Sequence, residues 1–214
     1  GRHLLSPYYF NRSWQRVRDM NKVNVIKIGG SLLTTTNHLP RLQAYLEQFT
    51  EHSNLLICGG GLEVERIRQH QLQYNLQDKE CHYNSIQVMD RNTRLICEKL
   101  GVTCHGNEQE QFIDMNRWAS LVQPGTTQGL EVLPFFNQHE SGSGLPRLPI
   151  SWCVTSDSIA ASFAIKFKAD LHLLKSTFAP TKELETLART GYVDCHFPLI
   201  ASDISSVRFV DLLH

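Results

Sequence analysis

Apolar positions along this chain gather into short runs, and three of the predicted elements end on glycine. Val23 to Ile28 is a β-branched apolar run that stops at Gly29-Gly30-Ser31. That pattern predicts a buried parallel strand ending in a tight turn. Apolar residues at helical spacing predict a helix over 39–51. The design then repeats. An apolar strand over 54–58 meets Gly59-Gly60-Gly61, and a charged helical stretch follows over 63–70. A long amphipathic helix is predicted over 81–100, closed by Gly101 at its C-terminal glycine position. Residues 112–122 and 131–136 read as short elements about the Pro124-Gly125 turn. Residues 138–149, rich in Gly, Ser and Pro, read as a mobile loop. Beyond it, a helix is expected over 158–168 after a Thr155-Ser156-Asp157 cap. A strand over 171–174 ends at Lys175. A helical stretch over 181–187 and a last strand over 207–213 complete the chain. Strands alternating with helices predict an α/β fold with a mainly parallel sheet covered on both faces.

Composition narrows the function classes. The chain has 214 residues, enough for one α/β domain, and its 41% hydrophobic and 20% charged residues are ordinary globular values. The reading divides it into an N-terminal arm, 1–21, carrying Tyr8, Tyr9, Phe10 and Trp14, and a single domain, 22–214. Twenty-one basic residues balance 21 acidic ones. No global positive field exists to attract nucleic acid, so that partner class is not expected. No run of about 18 apolar residues predicts a membrane span. The 6 cysteines form no C-x-x-C pair and show no zinc-like spacing with histidine. They read as reduced thiols of a cytoplasmic protein, and no protein-held metal site is predicted.

The candidate chemistry lies where strands end. In Lys27-Ile28-Gly29-Gly30-Ser31 the glycines let backbone amides approach an anion, and Lys27 adds a positive charge. Taken alone, a glycine turn beside a solvated lysine explains the motif equally well. The G-x-x-x-x-G-K-[ST] phosphate loop is absent. So is the G-x-G-x-x-G fingerprint, which argues against a dehydrogenase. Gly59-Gly60-Gly61 follows the second strand. Three consecutive glycines are costly in backbone entropy, and close approach to a ligand would account for them. Two such turns at parallel strand ends could line one crevice. Asp157 alone reads best as a charge at a helix N-terminus, worth about 0.3–1 kcal/mol. Its functional reading is an acid that orients lysines or a metal. Lys175, straight after a buried strand, would face the same crevice mouth as Lys27. Two lysines and two glycine turns suit phosphoryl transfer, which needs positioning and charge neutralisation more than covalent catalysis.

In their order along the chain, Val25-Ile26-Lys27-Ile28-Gly29-Gly30-Ser31, Cys58-Gly59-Gly60-Gly61, Thr155-Ser156-Asp157-Ser158-Ile159-Ala160-Ala161 and Leu173-Leu174-Lys175-Ser176 resemble the amino acid kinase superfamily. That family includes kinases of aspartate, acetylglutamate, carbamate and uridylate. The resemblance implies a three-layer αβα sandwich, carbamate kinase-like, and an enzyme that uses ATP and Mg²⁺ to phosphorylate a small-molecule acceptor. It implies that Lys27 and Lys175 embrace the transferring phosphoryl group and that Asp157 holds them in place. Gly29, Gly30, Ser31, Ser156 and Ser176 would line the ATP phosphate site, and Gly59, Gly60 and Gly61 would approach the acceptor. It further implies a homodimer or higher homo-oligomer, with the helix near 85–99 as candidate surface.

Two segments, 148–157 and 191–198, look like the short branch of aminomethylfuran phosphate kinases. That likeness implies a phosphomonoester acceptor and places Arg68 and His82 at its site. A buried helix histidine and a solvated arginine are equally fair readings of those two. The sequence departs from the branch at Cys153, where an acidic residue is usual, and at Glu65, where an aspartate is usual. Phe178-Ala179-Pro180 replaces the nucleotide segment of larger relatives. These departures leave a second reading open, a catalytically degenerate homologue that binds nucleotide or another anion.

Overall fold

The computed structural model describes residues 22–106, 121–136 and 144–214. The expected N-terminal arm, most of the 112–122 element and the first half of the 138–149 loop therefore lie outside the described residues. A six-stranded, all-parallel sheet organises what remains, in the order β3-β4-β2-β1-β5-β6. Its strands are β1 (Val23–Ile28), β2 (Ser53–Cys58), β3 (Cys104–His105), β4 (Thr127–Leu130), β5 (Asp170–Lys175) and β6 (Val207–Asp211). β1 is central, with β2 on one side and β5 on the other, so the chain reverses its direction of winding between β1 and β5. Open α/β sheets bind ligands at such a reversal, beyond the carboxyl ends of the strands.

The helices are α1 (His38–Leu46), α2 (Gly61–Tyr74), α3 (Asp78–Leu100), the single turn α4 (Leu133–Phe136), α5 (Ser156–Phe167), α6 (Leu184–Arg189) and α7 (Phe197–Ala201). Strand alternation sends Val25, Leu55, Ile57, Leu171 and Leu173 into one core, with Ile159, Ala160 and Phe163 of α5. Ile26, Ile28, Leu56, Cys58 and Leu174 enter the other, with Leu42 of α1. α3 serves both cores, through Ile86 and Met89 on the first and Ile96 on the second. Its Gly101 cap has φ +69°, as a C-terminal glycine requires. No helix among the described residues is long and apolar enough to cross a membrane.

Several boundaries differ from the sequence expectation. The 39–51 helix ends at Leu46 and tightens into a 3₁₀ turn over Glu47–Phe49. β4 was not expected, because Thr127-Gln128-Gly129-Leu130 has no apolar run. It pairs with β2 and β3, and Cys97 and Cys104 close over Gly129, where an added Cβ would lie 2.1 Å from the Cys97 sulfur. α7 was likewise not expected. The last helix before β5 begins at Ser156, so Asp157 sits inside its first turn rather than in its cap.

Candidate active site

Lys27 pairs with Leu173 in the β1–β5 register, and Lys175 lies two residues further along β5. Period-two alternation therefore puts both lysines on one face of the sheet, the face that α5 covers. The first turn of α5 lowers Asp157 between them. Lys27 Nζ stands 2.7 Å from Asp157 Oδ1, and Lys175 Nζ stands 2.8 Å from Oδ2. Lys175 also donates to the Tyr192 carbonyl at 2.7 Å, and its ammonium lies 5.2 Å from the Tyr192 ring centre. Lys27 and Asp157 are buried, and the Lys175 side chain keeps 14% exposure. The two lysines share one carboxylate, so within the triad one positive charge is in excess.

The titration of these groups follows from that geometry. Burial pushes the Asp157 carboxyl up, but the Lys27 and Lys175 ammonium groups outweigh it and hold the group at about 2. Burial and the Lys27 charge lower Lys175 to about 8, and Asp157 restores only part.

The glycine turns meet above this triad. The Gly29 amide donates to the Leu174 carbonyl and the Gly59 amide to the Ile28 carbonyl, both at 2.8 Å. The ladder thus runs one residue past each strand end. A Cβ on Gly30 would fall 2.2 Å from the Gly61 nitrogen, so the two turns touch backbone to backbone. Gly61 has φ +62° and opens α2. Asn92 of α3 donates to the Gly59 carbonyl at 2.9 Å and holds the triple-glycine turn. Ser31 and Ser176 share a hydroxyl hydrogen bond of 2.9 Å, which ties the β1 turn to the β5 turn. The N-termini of α2 and α5 both open here, and their free amides favour an anion.

Beside the turns is a pocket of about 210 Å³. Gly30, Ser31, Gly60, Gly61, His82 and Ser156 of the expected residues line it, and Ser85, Met89 and Trp152 close it. Ser156 therefore faces the triple glycine, its hydroxyl 3.1 Å from a Cβ placed on Gly59. Burial lowers His82, so a neutral imidazole meets the pocket. Arg68 does not line it. Its guanidinium stacks 4.7 Å from the Trp152 ring centre, and the Trp152 indole donates to Gln71.

Asn92, Trp152 and Asp194 were not assigned roles from sequence. Asp194 matters most to the shape of the site. Its carboxylate accepts from the Thr155 amide and hydroxyl, both at 2.9 Å, and from the Ser158 amide at 3.0 Å and hydroxyl at 2.6 Å. It also accepts from the Phe197 amide at 3.0 Å. Asp194 thus caps α5 from a distant segment while opening α7, which leaves Asp157 free for the lysines. An Asp three residues before a helical Phe-Pro pair was a readable N-terminal signal for α7. Its hold on α5 had none.

No protein-family model matches the sequence, and no curated protein matches it. Solved structures do. The uridylate kinase of Archaeoglobus fulgidus superposes with TM-score 0.55 at 14% identity, covering 88% of this chain and 90% of that one. The UMP kinase of Bacillus anthracis gives 0.57 at 13%, covering 90% and 88%. That of Ureaplasma parvum gives 0.54 at 13%, covering 89% and 90%. The fold is that of the uridylate kinases. The expected α/β sandwich with a parallel central sheet agrees with that fold. Against the uridylate kinase fold, the glycine turns, the lysines and Asp157 occupy the carboxyl edge of the sheet, where parallel α/β sheets carry their sites.

Proposed function

We propose that the protein is an ATP-dependent phosphotransferase acting on a small anionic acceptor. The observation that carries this is the meeting of Lys27 and Lys175 on Asp157 beneath two touching glycine turns. An excess positive charge under a cradle of amides suits a phosphoryl group, and the residues present fit the phosphates of ATP. ATP would supply the phosphoryl group, with Mg²⁺ carried on its phosphate oxygens. Among the described residues no group of three or more His, Cys, Asp or Glu side chains gathers as a metal site.

Each residue has a task in this reading. Lys27 and Lys175 neutralise charge spreading over the transferring group, and Asp157 fixes both ammonium groups before the ligand arrives. Gly29, Gly30, Ser31 and Ser176 hold the donor phosphates. Gly59, Gly60, Gly61, Ser156 and His82 face the acceptor, with Arg68 acting through Trp152. A phosphate or carboxylate acceptor is ionised at neutral pH, so no general base is needed.

The acceptor pocket bears on the substrate. Its volume of about 210 Å³ lies below the roughly 300–1,000 Å³ of pockets for drug-sized ligands. That favours a compact phosphomonoester, such as aminomethylfuran phosphate, over a nucleotide. We infer a cytoplasmic homo-oligomer, by analogy with the resembling family.

The test is ADP release from Mg²⁺-ATP across UMP, small phosphomonoesters and small carboxylates. Turnover with a compact phosphomonoester, lost by about 10³-fold or more in Lys27→Ala, is expected from removing a charge-neutralising group. Tight ATP binding without turnover on any acceptor would favour the degenerate binding homologue instead.

A further inference from the structure

Two cysteines meet at the surface beside the pocket. Cys153 and Cys195 are both exposed, and their side chains influence each other. They lie far apart in sequence, yet their backbones are bound together. The His196 amide donates to the Cys153 carbonyl at 3.0 Å. Asp194, one residue before Cys195, accepts twice at 2.9 Å from Thr155, two residues after Cys153. The remaining cysteines differ. Cys58, Cys81 and Cys97 are buried, and Cys104 is only partly exposed. Cys153 also sits between Trp152 and Val154, which line the pocket.

We propose that Cys153 and Cys195 are a dithiol modification site that low-molecular-weight disulfides such as oxidised glutathione convert reversibly to an intramolecular disulfide. A disulfide needs Cα atoms within about 7 Å and side chains that face each other. The backbone hydrogen bond from His196 to the Cys153 carbonyl holds the two segments side by side, which brings the cysteines toward that range. A metal site is the other use of paired thiols, but among the described residues no third ligand joins them.

The exchange balances. The Cys153 thiolate, having given its proton to solvent, attacks one sulfur of glutathione disulfide. The glutathione S–S bond breaks and one glutathione leaves as thiolate. The Cys195 sulfur then loses its proton and attacks the Cys153 sulfur of the mixed disulfide. A second glutathione thiolate leaves, and both thiolates take up protons. Two protein thiols are oxidised and one glutathione disulfide is reduced. Contact with Cys153 pushes the Cys195 thiol up, so Cys195 is the resolving partner rather than the first nucleophile.

The product would tie the pocket wall to the turn that caps α5. It closes a loop of about 40 residues, and such a cross-link raises the melting temperature by about 5–10 °C in a chain of this size. The proposal does not depend on the phosphotransfer reading, and its test uses no turnover. The full chain is incubated with oxidised glutathione, alkylated and mapped by peptide mass spectrometry without reduction, and melted before and after dithiothreitol. A Cys153–Cys195 cross-link in the monomer, a higher melting temperature and reversal by dithiothreitol are expected. Cys195→Ser should instead hold a glutathione adduct on Cys153. Stable glutathione adducts on the wild-type pair, cross-links between chains, or a disulfide elsewhere would overturn the proposal. So would no reaction in native protein while the same cysteines react after unfolding.

Discussion

If one positive charge is in excess at the Lys27–Asp157–Lys175 triad, binding a phosphate should draw a proton into the protein. Lys175 titrates at about 8 because burial strips its hydration and Lys27 repels it, with Asp157 offsetting only part. A unit negative charge about 4 Å away is worth roughly 4 kcal/mol at an effective dielectric of about 20. That corresponds to about three pKa units, enough to keep the bound-state lysine protonated beyond roughly pH 10. Binding should then take up about a tenth of a proton at pH 7, half at pH 8 and nine-tenths at pH 9. A phosphate whose second ionisation lies near 6 contributes little above pH 8. The assay is isothermal titration calorimetry with a non-hydrolysable ATP analogue, in buffers of different ionisation heat. The slope of apparent enthalpy against buffer heat counts the protons. Affinity should also weaken about tenfold per pH unit above 8, and Lys175→Met should abolish the uptake. Absence of uptake at pH 9, or uptake that survives in Lys175→Met, would refute the charge argument.

Other consequences are checked by simpler means. Asp157 is held at about 2, below the usual carboxylate range. A depressed carboxylate stabilises the fold above its unfolded value and loses that contribution as pH falls from about 4 to 2. The loss is about 2 kcal/mol, and Asp157→Asn should remove this acid limb from urea unfolding; an unchanged limb contradicts the ion pairing. Gly30→Ala drives a methyl into the Gly61 backbone at 2.2 Å. It should cost about 1–3 kcal/mol and weaken the ATP analogue at least about tenfold, and wild-type melting and binding would mean that the turns do not touch. Asp194→Ala strands the amides and hydroxyls of Thr155 and Ser158. Unfolding free energy should fall by about 3 kcal/mol or more, and a change below about 1 kcal/mol would show that the cap is not needed.

Local physics wrote much of this protein legibly into its sequence. Val23–Ile28 and Ser53–Cys58 are covered on both faces, so they need continuous apolar runs, and such runs show without any partner. Gly30 and Gly61 had to be glycine because backbone meets backbone there, and that steric demand also reads from sequence. Lys27, Asp157 and Lys175 could be nominated because each sits at the end of a recognisable element. What they do together could not. Their meeting depends on β1 pairing with β5 across a long stretch of chain and on a register that places both lysines on one face. β4 stayed hidden because its glycine is dictated by Cys97 and Cys104, not by its own neighbours. The frame of α5 stayed hidden because its cap, Asp194, arrives from the far side of β5. Periodicity and glycine strain act over a few residues and survive in the sequence. Register, sheet order and remote caps are contacts between segments, and they exist only once the chain has closed on itself.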